Sequence, residues 1–298
     1  LLATNCGGKE EKEKSTTEKI VVAPVSDIII GIGKIIPEQQ IIQVAAQTSG
    51  VLQTIYKHEN ETFQKGEVLA VLSNDVEVNE VFYYGTGLSN INNVKIMKTA
   101  LKKLFPNAKI EANHDLLAAA RALCGNQKGI ACILGTGSNS CYYNGKKIIK
   151  NSPGLGYILG DEGSGAYLGK KVVQYYLYKT YDEELMTRFE KYFNTDKTEI
   201  LENVYKKPLA NRYLASFTNF LADNRGHYMI ENIIEDGLND FYFNHLYKYR
   251  ESWILPINFV GSVAFGFKDV LKDLCNTYEL ELGIVLKKPM QGLIDYHK

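Results

Sequence analysis

The chain has 298 residues, 45% of them hydrophobic, which excludes a wholly disordered protein and predicts two folded units rather than one core. Its 34 basic side chains balance 34 acidic ones, so no net field exists to hold a polyanion, and nucleic acid is not an expected partner. The five cysteines form no CxxC pair and no His/Cys ligand spacing, which argues against a zinc site or a disulfide framework and makes the C-terminal part read as cytoplasmic; no apolar run approaches the ~20 residues that span a bilayer.

In chain order, Leu1 to Gly8 precede a charged, Ser/Thr-containing stretch, Lys9 to Lys19. This start resembles a bacterial lipoprotein signal cut short, with Cys6 as the lipidation candidate and residues 1–19 as a tether. A disordered terminus with an incidental cysteine is the alternative. Ile20 to Ile42 is rich in Val and Ile, broken by Gly31, Gly33 and Pro37, and predicts short strands. Gly31-Ile32-Gly33-Lys34 lacks the GxxxxGK[ST] spacing and reads as strand punctuation rather than a phosphate loop. Gln47 to Leu52, Ile55 to Asn60 and Gln64 to Leu72 read as strand, turn, strand, with Gly50 and Gly66 at turns. These residues resemble half of the lipoyl-like hairpin domain of periplasmic efflux adaptors (HlyD-like) over about 1–76. The resemblance implies a small β segment over 20–80.

After Glu80 the composition switches to a buried-type strand, Val81 to Gly87, and then alternates strand with helix. Apolar residues at Val94, Met97, Leu101 and Leu104 predict a helix over Asn93–Phe105, stopped by Pro106. Ala108–Ala112 is an expected strand, and Leu116–Cys124 an expected helix opened by Asp115 and closed by Gly125. Gly129–Gly135 and Ser138–Tyr143 are expected strands joined by a glycine turn, and Asn144-Gly145 signals a second hairpin. The pattern predicts an α/β domain with a mixed sheet.

Three places carry candidate chemistry. Gly135, Thr136, Gly137 and Ser138 end a strand with close-approach backbone N–H groups and two hydroxyls, which suits a phosphate or a sugar hydroxyl; an ordinary hairpin turn is the alternative. Gly154 to Gly169 crowds glycines around the paired carboxylates Asp161 and Glu162, more than a strand or helix core would need, and reads as a ligand loop. Asp115, between a strand and a helix, suits a general base of phosphoryl transfer and equally a helix cap.

Four ordered segments over about 81–298 carry a further resemblance: Asn113 to Ala122, Gly135 to Ser140, Leu159 to Ala166, and Phe259 to Ala264. They look like those of N-acetylglucosamine kinases of the BadF/BadG/BcrA/BcrD ATPase family. Tyr205 to Phe217 and Pro289 to Leu293 match as well. The resemblance implies an actin/hexokinase/Hsp70-like ATPase fold, ATP with Mg²⁺, and a small-molecule sugar substrate. It implies Asp115 as the catalytic base and Gly135, Thr136, Gly137 and Ser138 at the ATP phosphates. Gly261 and Ser262 would lie beside the adenosine, and Asn139, Gly156, Tyr157 and Asp161 would meet the sugar.

The family's Asp-x-Gly-x-Thr-Lys phosphate loop does not occur in this sequence. A truncated N-terminal lobe with reduced or lost activity is therefore expected. Two alternatives stand beside the kinase: a dehydratase activator with a shared iron–sulfur cluster, and a non-catalytic fusion of an efflux-adaptor lipoprotein fragment with a degenerate kinase. Cys124, Cys132 and Cys141 fall on apolar positions and are expected in the core. A lipid anchor at Cys6 and a homodimer are left open, as is the conflict between a lipidated periplasmic start and a cytoplasmic ATP-using domain.

Overall fold

Short Val- and Ile-rich segments pair first. In the computed structural model, which describes residues 32–35, 42–45, 51–57, 68, 70–73 and 78–298, the chain divides into Leu1–Asn79 and Glu80–Lys298. The first unit holds β1 (Ile32–Ile35) antiparallel to β2 (Ile42–Ala45), and β3 (Val51–Ile55) antiparallel to β4 (Ala70–Ser73). Gly33 is thus inside a strand, while Gly31, Gly50, Gly66, the tether over 1–19 and Cys6 lie outside the described residues.

The second unit opens with β5 (Glu80–Gly85), α1 (Ile91–Leu104) and β6 (Lys109–His114), the two strands pairing in parallel. Next comes α2 (Asp115–Cys124). Its cap is His114, whose Nδ1 accepts the Leu117 N–H at 3.3 Å, so Asp115 is the first helical residue rather than the expected cap. An imidazole can supply the acceptor that a helix start needs, and this releases the Asp115 side chain from that duty. Gly125 closes the helix, with φ +55°.

A five-stranded mixed sheet follows, built from β7 (Lys128–Leu134), β8 (Ser138–Asn144), β9 (Ile148–Ser152), β10 (Ile257–Val260) and β11 (Leu282–Leu286). Its order is β11-β10-β7-β8-β9, with β7, β10 and β11 parallel and β8 antiparallel to both of its neighbours, β7 and β9. Alternation along β7 assigns the faces. Ile130, Cys132 and Leu134 join the larger core; Ala131 packs under α2 with Leu116, Ala119, Ala120 and Leu123.

Between β9 and β10 run α3 (Gly156–Leu159), α4 (Gly165–Leu177), α5 (Glu183–Phe193), α6 (Lys197–Tyr205), α7 (Ala210–Ser216), α8 (Thr218–Asp223) and α9 (Tyr228–Phe241). After β10 come α10 (Ser262–Gly266) and α11 (Lys268–Thr277), and after β11 comes α12 (Met290–His297), which packs on α2. The larger core fills the space between the sheet and these helices, with Phe189, Phe217 and Phe220 fully buried and in ring contact.

Part of the glycine crowding over 154–169 therefore has a packing cause. Gly165 and Gly169 are helical, not loop, residues: a Cβ on Gly169 would stand 1.8 Å from the Leu214 carbonyl oxygen, and one on Gly165 would stand 3.1 Å from the Ala215 Cβ. They let α4 and α7 meet backbone to backbone. Gly169→Ala is expected to lower unfolding free energy by about 1–3 kcal/mol or more through overpacking. Gly266→Ala, where a Cβ meets nothing within 4 Å, should be neutral or slightly stabilising. Denaturant titration of both checks the pair; equal effects would contradict the packing account.

Candidate active site

Parallel strands in an open α/β sheet deliver their following loops to one end, and a crevice forms there. β7 ends at Leu134 and its parallel neighbour β10 at Val260, so the turn at 135–137 and the turn at Gly261 emerge side by side. Gly261 has φ +135°, and a Cβ there would lie 2.1 Å from the Leu134 carbonyl oxygen and 3.0 Å from the Gly135 nitrogen. Only glycine fits. Its amide donates to the Leu286 carbonyl at 2.9 Å, and its carbonyl accepts the Phe265 N–H at 3.0 Å. Exposed Ser262 follows as the first residue of α10.

The 135–138 turn is gripped by α4. The Gly165 N–H donates to the Gly135 carbonyl at 2.7 Å and the Ala166 N–H to the Thr136 carbonyl at 3.0 Å. Helix-start amides have no intrahelical partner, and the turn satisfies two of them. Ser164 Oγ caps the same helix by accepting the Tyr167 N–H at 3.1 Å. Within the turn, the Gly135 N–H donates to the Gly137 carbonyl at 3.0 Å. Thr136 is exposed, and a Cβ on Gly135 would meet nothing within 4 Å. Gly135 therefore borders open space, while Gly137 is enclosed.

What encloses Gly137 is Asp161: a Cβ on Gly137 would come within 3.0 Å of the Asp161 Oδ2. Asp161 has φ +57°, the left-handed region that Asp tolerates better than most residues, and Gly163 follows at φ +68°. Burial raises the Asp161 carboxyl above its ordinary range; the Ser138 backbone amide opposes the shift, Glu162 adds to it, and Lys170 opposes it. Ser138 Oγ is buried without a hydrogen-bond partner. A buried hydroxyl left unpaired beside a partly desolvated carboxylate fits a polar occupant such as a phosphate or a sugar hydroxyl.

Asn139 follows the turn on β8. Its Oδ1 accepts both the Ser140 N–H at 2.9 Å and the Asn151 amide at 2.8 Å, which leaves its own NH₂ to donate. Gly154 faces it, since a Cβ there would lie 3.7 Å from the Asn139 amide. Gly156, at φ +76° in open space, starts α3, and Tyr157 packs partly on the larger core. Asp115 reaches the same sheet end from the opposite face. α2 packs on β7 and is joined to it by a short turn at 125–127, so its first residue lies toward the end where β7 finishes. Asp115 Oδ1 accepts the Leu116 N–H at 2.9 Å, and among the described residues no hydrogen bond links it to the 135–138 turn.

Beneath this end the part-buried Glu162 meets buried His245, Ser140 and Tyr249, none of which the sequence marks. Glu162 Oε2 lies 3.4 Å from His245 Nε2, and His245 Nδ1 lies 3.4 Å from Ser140 Oγ. The Tyr249 hydroxyl lies 2.9 Å from Ser140 Oγ and accepts the Ser152 N–H at 2.6 Å. Burial depresses the His245 pKa, with Glu162 opposing the shift and Lys248 adding to it. The Asp161-Glu162 pair was visible as a doublet of carboxylates. His245 was one of five histidines with no local pattern to mark it.

Four cysteines are described, Cys124, Cys132, Cys141 and Cys275, and all are buried free thiols. Burial pushes the Cys124 and Cys275 thiols to about 11 and Cys141 to about 12, and Cys132 is raised as well. None is presented at a surface where two subunits could share an iron–sulfur cluster, which removes the observation that the activator reading needs.

With this geometry the chain is an α/β protein of the actin-like ATPase fold. A crystal structure of a Porphyromonas gingivalis protein assigned as an N-acetylglucosamine kinase is 41% identical, with a TM-score of 0.71, covering 74% of this chain and 77% of that one. A Chromobacterium violaceum protein of the same assignment, 18% identical with a TM-score of 0.54 over 71% of this chain and 74% of its own, shares the fold. No protein-family model matches the chain, and no curated protein does. The chain belongs to the sugar-kinase-like family of the Porphyromonas protein.

Asp161 gives the site a measurable signature. Its raised pKa means that ionising it costs the folded state stability, a cost present above the folded pKa and lost as pH falls below the unfolded value. Asp161→Asn, which keeps a side chain that tolerates left-handed φ, is expected to melt at or above the parent temperature at pH 7–8, with the advantage shrinking toward about pH 4. A destabilisation that grows with pH would contradict this assignment.

Proposed function

We propose that residues 80–298 bind an amino sugar, N-acetylglucosamine foremost, together with ATP, in a site built to transfer the γ-phosphoryl group to a sugar hydroxyl. The observation that carries this reading is the convergence at one sheet end of the 135–138 turn, the Asp161 loop and the Gly261 turn, around the unpaired Ser138 hydroxyl. The identity to the Porphyromonas protein supports it.

Phosphoryl transfer asks the protein mainly for position and electrostatics. In this reading the Thr136 and Gly137 amides and the Thr136 and Ser138 hydroxyls hold phosphate oxygens, Gly135, whose own N–H goes to the Gly137 carbonyl, lines the turn without a side chain, and Gly261 and Ser262 flank the adenosine. Asn139 donates to the sugar, Asp161 accepts from it, and Gly156 and Tyr157 border it. Asp115 takes the proton of the attacking hydroxyl. Mg²⁺ binds through phosphates and water in such sites and would arrive with the nucleotide, neutralising its charge. ATP is a cytoplasmic substrate, and a kinase of this kind would work there. A lipid anchor at Cys6 does not combine with a working cytoplasmic kinase.

Because no Asp-x-Gly-x-Thr-Lys loop occurs in the sequence, binding should outrun catalysis. Calorimetric titration of the intact chain with N-acetylglucosamine is expected to show saturable binding, weakened at least ~10-fold, or ~1.4 kcal/mol, by Asp161→Asn. Sugar-dependent ADP release should be slow or absent, and any that occurs should disappear in Asp115→Asn. Absence of sugar binding, or ADP release indifferent to Asp115→Asn, would overturn the reading.

A further inference from the structure

The buried residues under the site form a connected chain whose one end is the site itself. His245 lies in a π-helical turn, Tyr242–Leu246, that continues α9, and the wider turn is closed by the Tyr247 N–H donating to the Tyr242 carbonyl at 2.9 Å. Such turns are uncommon and cluster at functional sites. The imidazole is 3% exposed and stacks on Phe241 with ring centres 4.6 Å apart. One ring nitrogen faces the carboxylate of Glu162 and the other the hydroxyl of Ser140.

Proton counting orders the chain. A carboxylate at Nε2 selects the neutral tautomer that carries its proton there, so Nδ1 is the acceptor and Ser140 Oγ–H the donor. The single Tyr249 hydroxyl proton is then shared between Ser140 Oγ at 2.9 Å and the Ser140 carbonyl at 3.0 Å. Each group has a partner, with no charge left alone in the interior.

The two ends of this chain matter for the site. Glu162 directly follows Asp161 in the loop that encloses Gly137, and Ser140 directly follows Asn139 on β8. His245 thus bridges the loop bearing one sugar-facing residue to the strand bearing the other. Among the described residues, no hydrogen bond joins it to Asp161 or Asn139 themselves. We infer that His245 is a positioning residue: through Glu162 and Ser140 it fixes the distance between the Asp161 loop and the Asn139 strand, and so sets affinity for the sugar but not for the nucleotide.

This rests on the sugar-site reading for its first arm only. Sugar and ATP binding would be titrated for the parent, His245→Ala and His245→Gln, whose amide can still donate toward Glu162. The expected result is at least a ~10-fold loss of sugar affinity in His245→Ala, recovery to within ~3-fold of the parent in His245→Gln, and ATP affinity unchanged within ~3-fold. Unchanged sugar affinity in a folded His245→Ala, or equal losses for both ligands, would overturn the inference.

Hydrogen exchange supplies an arm independent of any ligand. Amides over 161–163 and 139–141 should exchange faster in His245→Ala and return toward the parent rate in His245→Gln, with 135–137, α5 and α11 unaffected. If the parent binds no sugar, the functional reading falls and this arm decides. Exchange over 161–163 that matches the parent in His245→Ala would overturn the bridging role. Should His245→Ala fail to fold, Ser140→Ala and His245→Gln carry both arms, with the loss expected in the first and not in the second.

Discussion

Two backbone hydrogen bonds, from the Gly165 and Ala166 amides to the Gly135 and Thr136 carbonyls, are the constraint on which the rest of the site depends. A helix start must find acceptors for its leading amides, and α4 finds them in the turn between β7 and β8. The same bonds fix the turn to the start of α4, place Asp161 against Gly137, and leave room for the Gly261 turn only if position 261 lacks a side chain. One structural need of a helix thereby holds three loops in register.

The sheet completes the arrangement by separating its faces. The larger core, with Phe189, Phe217 and Phe220, lies on the side of α4 to α9 and keeps α4 in place. The smaller core under α2, with Leu116, Ala119, Ala120 and Leu123, brings Asp115 to the same sheet end from the other side. Asp115 and the 135–138 turn reach one end of the sheet along different faces, so a change in either core can act there without touching it. Arg121 extends this coupling. It donates from α2 to Glu111 at 2.7 Å and to the Tyr84 hydroxyl, tying the helix that carries Asp115 to β5 and β6.

Much of this was legible from residue order alone. The β7–β8 hairpin, the Gly135-Thr136-Gly137-Ser138 turn and the helix after Asp115 announce themselves through alternation, glycine placement and apolar spacing. The α/β class and the sugar-kinase likeness follow from four motifs in order, and the fold and the 41% identity agree. Gly165 and Gly169 were misread because a glycine-rich string looks the same whether it approaches a ligand or, as here, another helix. His114 was missed as a cap because histidine is an uncommon acceptor there. Glu162, His245 and Ser140 form contacts 83 and 105 residues apart in sequence, through a π-helical turn that no periodicity predicts. Such contacts exist only once the sheet and α9 have packed.

In the proposed function the loops at 135–138, 161 and 261 form one sugar and nucleotide site with Asp115 at its edge. The most direct test is a crystal structure of the chain with N-acetylglucosamine and ADP. The account predicts the sugar within hydrogen-bond reach of Asp161 and Asn139, one of its hydroxyls at Asp115, and nucleotide phosphates at the 135–138 turn. Sugar or nucleotide bound elsewhere, with Ser138 still unpartnered and Asp161 still free of ligand, would contradict it.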